Sequence, residues 1–224
     1  MRLYIRKDKS IYSPRSALSK ASLSSIQEGT LKYTYRGLSC LKNPFDLALY
    51  TLLLYEIQPK TIIEIGSAAG GSALWFSDQT ALLGLETRIY SLDIAPPKGL
   101  LIDRVEFLQG DIYALERSSL AEIMRSAVHP ILVIEDGPHT YRGCKAALDF
   151  FHPYMRPGEY IIIEDGIVHD LDLDEYEDGP NRAIAEHLQE HSNQCGVDRA
   201  FCDYFGQNFT WATNGYLRYK EMDN

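Results

Sequence analysis

The sequence predicts a doubly wound α/β fold: a mostly parallel, seven-stranded sheet with helices on both faces and an antiparallel hairpin at the C-terminus. Three observations carry this expectation. Short apolar runs, "TIIEIG", "RIYSLDI", "VEFLQGD", "PILVIEDG" and "GEYIIIEDG", alternate with stretches of helical character. Several of these runs are apolar at successive positions, as strands buried on both faces are. The first run opens into a bare stretch, "GSAAGG", and then an amphipathic segment, which is how a strand turns into a helix at the edge of a parallel sheet.

Taken in order, residues 1–32 read as an N-terminal arm or short helices outside the core, rich in Ser and Lys, with Pro14 and no sustained period. No site is expected there. Residues 33–224 form the domain. Pro44 suits a first helical turn, Asp46 the positive end of the helix dipole, and the apolar residues run to Ile57 before Pro59 stops the helix. Further helices are expected from about Ser72 to Leu83 and over "SLAEIMRSAV", "YRGCKAALDFFHPYM" and "NRAIAEHLQEHS". The acidic run Asp170 to Asp178 lacks the spacing of a calcium loop and reads as a rim or lid. In "NFTWATNGYLRY", Asn214-Gly215 is the expected turn of the terminal hairpin.

At 224 residues and 45% hydrophobic content, the chain can bury one substantial core. Its apolar runs fall well short of the roughly 20 residues that span a bilayer. The early positive charges precede no continuous apolar segment, so no secretory signal is expected and a cytoplasmic location is. Cys40, Cys144, Cys195 and Cys202 show no paired CxxC spacing and read as reduced thiols. Residues 1–60 hold ten Lys/Arg against four Asp/Glu, whereas the remainder holds 12 against 27, within a net charge of −9. An acidic body argues against nucleic acid as a partner. The oppositely charged arm, with few apolar residues of its own, raises the expectation of a homo-oligomer.

In a doubly wound sheet, ligands lie beyond the carboxyl ends of the strands. Glu64, Gly66, Ser67, Gly70, Gly71 and Ser72 occupy that edge, where bare backbone and a helix N-terminus admit a ligand. Their spacing is not G-x-G-x-x-G, which disfavours a pyrophosphate reader. Asp93 ends the next strand, where a carboxylate accepts hydrogen bonds from a ribose diol, and Asp111 closes the third. The ordered set points to a nucleoside cofactor, against the alternatives of tight-turn glycines and acids that cap helices.

A second constellation carries chemistry. Asp136 ends one core strand and Glu164 and Asp165 end the next; neighbouring strands stand about 4.8 Å apart, so their carboxylates can converge on one ion. Hard oxygen donors without thiolates or paired histidines suit Mg2+. Consecutive residues of a strand face opposite sides, so both members of the Glu164-Asp165 pair can bind only where the strand has turned, which Gly166 permits. His139 lies just beyond Asp136, placed to take a proton from a substrate hydroxyl or to orient substrate. Tyr141 and Arg142 are either substrate contacts or ordinary helix residues. His187 and His191 share an i,i+4 face without a third ligand in view and read as a solvated polar face.

The motifs "EIGSAAGG", "SLDI" and "GD", in that order, resemble class I methyltransferases, a Rossmann-like fold that binds S-adenosylmethionine. More narrowly, "YRGLSCLKNPFDLALY", "PKTIIEIGSAAGGSALWF", "GEYIIIEDG" and "NGYLRY" are similar to the cephalosporin hydroxylase family, which includes rhamnosyl O-methyltransferases, over about residues 33 to 220. The resemblance implies that the methionine part of the cofactor lies on Glu64 to Gly71, that the ribose meets Asp93 and that the adenine lies near Asp111. It also implies a small hydroxylated acceptor, a sugar or secondary metabolite. Catechol-type relatives use an acid at the position of Asp136, an acid-plus-amide pair at the next strand end and a basic group near His139; this chain has Glu164-Asp165 in place of that pair. The implied activity is O-methyl transfer from S-adenosylmethionine, assisted by Mg2+. Two rival readings are a NAD-dependent oxidoreductase, which would share the sheet and Asp93, and a non-catalytic nucleotide-binding accessory module. A hydroxylase would need a redox centre, for which no ligand pattern is seen.

Overall fold

The computed structural model describes residues 13–176 and 179–221. The first 12 residues of the arm and residues 177–178 of the acidic run lie outside the described residues. The elements are α1 (Lys20–Thr30), the short strands β1 (Thr34–Tyr35) and β2 (Leu38–Ser39), α2 (Pro44–Ile57), β3 (Thr61–Ile65), α3 (Gly71–Leu82), β4 (Arg88–Asp93) and β5 (Val105–Gln109). They continue as α4 (Ser119–Ser126), β6 (Ile131–Glu135), α5 (Tyr141–Phe151), β7 (Tyr160–Ile163), α6 (Gly179–His191), β8 (Cys195–Val197), α7 (Arg199–Cys202) and β9 (Tyr216–Tyr219).

The seven-stranded sheet has the order β5-β4-β3-β6-β7-β9-β8. Its first five strands are parallel, and β9 runs antiparallel to both β7 and β8. The expected doubly wound class is therefore the observed one, and the strand order reverses between β3 and β6. The terminal pair differs in detail from the expected hairpin. The partner of β9 is β8, with Cys195 opposite Tyr219, and no tight turn joins them. Asn214, with φ +54, bends an irregular segment into β9, so the Asn-Gly pair introduces a strand instead of linking two.

Alternation along the strands divides the core. Ile63, Ile65, Val133, Ile161 and Ile163 face a cluster with α5, whereas Ile62, Leu132, Ile134, Tyr160 and Ile162 face one with α2 and α3. This two-sided burial is why the strands read as nearly continuous apolar runs. Helix α2 is capped by Asn43, whose side chain accepts from Phe45 N at 2.8 Å, with Pro44 in the first turn. Asp46 does more than face the dipole: its carboxylate accepts the Trp211 N–H at 3.0 Å and the Thr210 hydroxyl, which ties the segment before β9 to α2.

Helix α1 forms a small cluster of its own, in which Leu23 packs on Ile167 and Trp211. The Ser16 N–H donates to Asp170 Oδ2 at 2.9 Å and Lys20 pairs with Asp172, so the basic N-terminal stretch is tied to the acidic run. The four cysteines are free and buried. Among the described residues, no helix is long and apolar enough to cross a membrane.

Candidate active site

The site lies where the strand order reverses. The chain leaves β3 through Gly66, at φ +98, and a Cβ there would come within 2.1 Å of the Asp136 carbonyl oxygen. Only glycine fits both demands, and the contact presses the turn after β3 onto the end of β6. Gly70 caps α3. Beneath the turn runs a relay: Ser91 Oγ donates to Glu64 Oε2 at 2.5 Å, so Ser67 Oγ, at 2.7 Å, donates to Ser91. Burial raises the Glu64 pKa, and the charge of Lys42 and hydrogen bonds from Ser72 and Ser91 oppose the rise. Asp93 accepts the Ala68 N–H at 3.0 Å and the Ala95 N–H at 2.8 Å, which fixes the turn against the end of β4. Asp111 accepts the Tyr113 N–H at 2.9 Å and so caps the helical stretch Ile112–Arg117.

Strands β6 and β7 end in the same words, Ile-Glu-Asp-Gly. In each, the glutamate serves the scaffold and the aspartate faces the cavity. Glu135, fully buried, accepts the Gly137 N–H at 3.0 Å and the Cys144 thiol at 3.2 Å. Glu164 Oε1 accepts the Tyr50 hydroxyl at 2.5 Å and Lys42 Nζ at 2.8 Å. Asp136, His139 and Asp165 each place a ligand atom within 4.8 Å of the others. His139 Nε2 stands 3.2 Å from Asp165 Oδ2 and 3.9 Å from Asp136 Oδ1, and its buried Nδ1 has no partner among the described residues.

Of the Glu164-Asp165 pair expected to face one ion, Asp165 alone joins this cluster. Asp165 turns the chain itself, at φ +54, which leaves Glu164 on the side of Lys42 and Tyr50. Gly166 is not the residue that turns.

Sequence reasoning missed Lys42. Its ammonium is 1% exposed and lies 2.5 Å from Asp136 Oδ2 as well as against Glu164. Burial alone would lower its pKa, but Asp136, Glu164 and Glu64 hold it well above the ordinary value. Burial raises Asp136 to about 6, with Asp165 adding to the rise and Lys42 and His139 opposing it. For His139, burial lowers the pKa and the charges of Asp165 and Asp136 more than reverse it.

These groups border a cavity of about 570 Å3. Of the residues expected to bind cofactor or metal, Gly66, Ser67, Ser72, Asp93, Asp111, Asp136 and Asp165 line it, as does His139, whereas Glu64, Gly70 and Glu164 do not. The wall also includes residues from the stretch where no site was expected, Gln27 and Thr30 of α1, together with Trp211. Gln27 Oε1, Thr30 Oγ1 and Trp211 Nε1 are buried and have no hydrogen-bond partner among the described residues. Leu171, Leu173 and Tyr176 of the acidic run close the rim. Tyr141 turns away, donating to Glu186 at 2.5 Å. His187 is fully buried, so the expected solvated face of His187 and His191 is corrected: α6 packs this side on α5 and the turn that follows it.

A sequence model of the rhamnosyl O-methyltransferase/CmcI family matches residues 27–220. The chain belongs to that family. Among rhamnosyl O-methyltransferases, the Mycobacterium leprae (strain TN) protein is 30% identical over 194 residues, 82% of this chain and 82% of that one. The Mycobacterium tuberculosis (strain ATCC 25618 / H37Rv) protein is 27% identical over 196 residues, 83% of this chain and 78% of that one. Among solved structures, a CmcI form with Mg and SAM superposes with a TM-score of 0.69 at 26% identity, covering 85% of this chain and 78% of that one. An apo form of CmcI gives 0.70 at 25% identity, with 85% and 77% covered. The MycE methyltransferase of mycinamycin biosynthesis, in complex with Mg, SAH and mycinamycin VI, shares the fold, at a TM-score of 0.60 and 20% identity, covering 90% of this chain and 55% of that one. Membership of the rhamnosyl O-methyltransferase/CmcI family makes the chain an O-methyltransferase by class, as its sequence motifs imply.

Proposed function

We propose that this cavity binds S-adenosylmethionine along the turn after β3 and passes its methyl group to a hydroxyl of a small acceptor, a sugar or secondary metabolite, held beside Asp136, His139 and Asp165. The observation that carries the reading is the contact between Gly66 and the Asp136 carbonyl, which joins the cofactor turn to the acid cluster in one cavity. Family membership favours methyl transfer over the nicotinamide and accessory-module readings.

The cluster fits a hard dication. Lys42 is paired with Asp136 and Glu164, and Asp165 adds a third carboxylate to the cluster. Burial raises the pKa of both aspartates, with Asp165 adding to the rise at Asp136 and Glu164 to the rise at Asp165. Asp136 and Asp165 would hold Mg2+, with Glu164 completing its acidic surroundings beside Lys42. A bound dication would lower the pKa of an acceptor hydroxyl. Mg2+ prefers oxygen donors, which leaves the His139 imidazole for proton transfer.

S-adenosylmethionine supplies an electrophilic methyl on a sulfonium that leaves without covalent help from the protein. The protein's work is alignment and exclusion of water. Asp93 and Asp111 offer acceptors to the nucleoside; Ser67 and Ser72 line the turn. His139 takes the acceptor proton through Nε2, the nitrogen beside the acids. Gln27, Thr30 and Trp211 offer unpaired polar atoms to the acceptor's other hydroxyls. A cytoplasmic location and self-association through the basic N-terminal stretch complete the proposal, the latter open to light scattering.

Calorimetry with S-adenosylmethionine, S-adenosylhomocysteine and NAD, each with and without Mg2+, tests the reading. Binding of both adenosyl compounds and not NAD is expected. Asp136→Ala should keep adenosyl binding and lose most turnover together with its dependence on Mg2+; unchanged turnover would remove the ion from the mechanism.

A further inference from the structure

We propose a second metal site, separate from the cavity, in which His152, His187 and His191 bind a transition-metal dication of the Zn2+ class. One ring nitrogen of each histidine lies within 4.8 Å of the other two. His187 and His191 stand four residues apart on α6, which puts both rings on one face, and His152 reaches them from the turn after α5. His187 is fully buried, yet neither of its ring nitrogens has a hydrogen-bond partner among the described residues. A buried imidazole normally satisfies both nitrogens, and a metal would take one of them.

The chemistry of the surroundings agrees. A neutral imidazole keeps one N–H and offers one lone pair, so a metal would take one nitrogen of His187. His152 Nδ1 lies 2.9 Å from the Tyr219 hydroxyl, a bond of the kind that orients a ligating ring. Asp149 and Glu190, both paired with Lys145, supply negative charge close by. Three imidazoles and no carboxylate among the ligands favour Zn2+, Co2+ or Ni2+ over Mg2+.

Position gives the site a role. Helix α5 begins just after His139, and Gly179, at the start of α6, lies so near His139 that a Cβ would be 2.1 Å from its carbonyl oxygen. Both helices run from there to the histidines; α5 alone, at 11 residues, covers about 16 Å. A metal bound there would clamp the far ends of the two helices whose near ends frame His139, and so act on stability without touching substrate.

Co2+ uptake by the full chain carrying Asp136→Asn, which weakens the acid cluster as a competitor, tests the site. One equivalent should bind with the visible absorption of nitrogen-ligated cobalt, displaced by Zn2+ and not by Mg2+, and Zn2+ should raise Tm. In that background His191→Gln and His152→Gln should each lower Co2+ affinity at least about tenfold and abolish the Zn2+-dependent rise in Tm, with S-adenosylmethionine binding retained. No Co2+ uptake by the Asp136→Asn protein, or uptake unchanged by His191→Gln, would overturn the proposal and leave the three rings as a packed aromatic cluster.

Discussion

Lys42 Nζ stands 2.5 Å from Asp136 Oδ2, a buried ion pair that locks the segment before α2 to the end of β6. The same ammonium meets Glu164 at 2.8 Å, so a single cation balances acids from two strands. Removing one partner of a buried pair leaves uncompensated charge, a loss of about 3–5 kcal/mol. Lys42→Met should therefore lower unfolding free energy by about that amount in chelator, and saturating Mg2+ should recover much of it. Urea denaturation with and without Mg2+ measures both. An equal loss in the two conditions would show that the lysine acts through packing alone.

His139 stands beside both aspartates, where an imidazole can take a proton as the methyl group arrives. Loss of a general base typically costs about 100- to 10,000-fold in rate. His139→Ala should lower kcat within that range and leave S-adenosylmethionine affinity unchanged, as read by turnover and calorimetry on the same preparation. A fall of less than roughly tenfold would reduce His139 to an orienting role.

What the sequence disclosed and what it hid follow from contact distance along the chain. The five parallel strands were legible because each is a short apolar run closed by an acid or glycine, and the topology of such sheets places those closing residues at one edge. That logic singled out Asp136, Asp165 and His139, which the structure places together on one cavity. It did not single out Lys42, because its partners lie 94 and 122 residues away and nothing in "SCLKNPF" distinguishes a buried lysine from a loop lysine. The split of the Glu164-Asp165 pair turned on one backbone angle, which composition does not encode. The place of α1 on the cavity escaped because its burial is confined to Leu23 and Thr30, too few positions to set a period. The third histidine of the cluster comes from a different helix end, so the i,i+4 pair alone looked solvated.

Trp211 offers a buried indole N–H at the cavity wall, and no group among the described residues accepts it. Trp211→Phe removes the donor with little change in shape. If that donor reads an acceptor hydroxyl, KM for the acceptor should rise roughly tenfold, a hydrogen bond of about 1–1.5 kcal/mol, with kcat and S-adenosylmethionine affinity nearly constant. Thr30→Val on the facing helix should act in the same direction. A variant that lowers kcat at unchanged KM would place Trp211 in support of the catalytic geometry instead.

Asp46 links this wall to the pH dependence of folding. Burial, and then the charge of Glu164, raise its pKa from 3.8 to about 7, against the opposing hydrogen bonds of Thr210 and Trp211. Between those values the native carboxyl holds a proton that the unfolded chain has released, so the unfolded state binds fewer protons and stability falls as pH rises. The contribution of Asp46 is full below about pH 4 and lost by about pH 7. Asp46→Asn carries a neutral group at every pH and keeps an acceptor for the Trp211 N–H. Relative to the parent, it should gain stability progressively from pH 4.5 to 7 and then level off, as urea midpoints across that range would record. A difference that stays constant with pH would mean that Asp46 is ionised in the native protein throughout, its negative charge held beside Glu164 by Thr210 and Trp211.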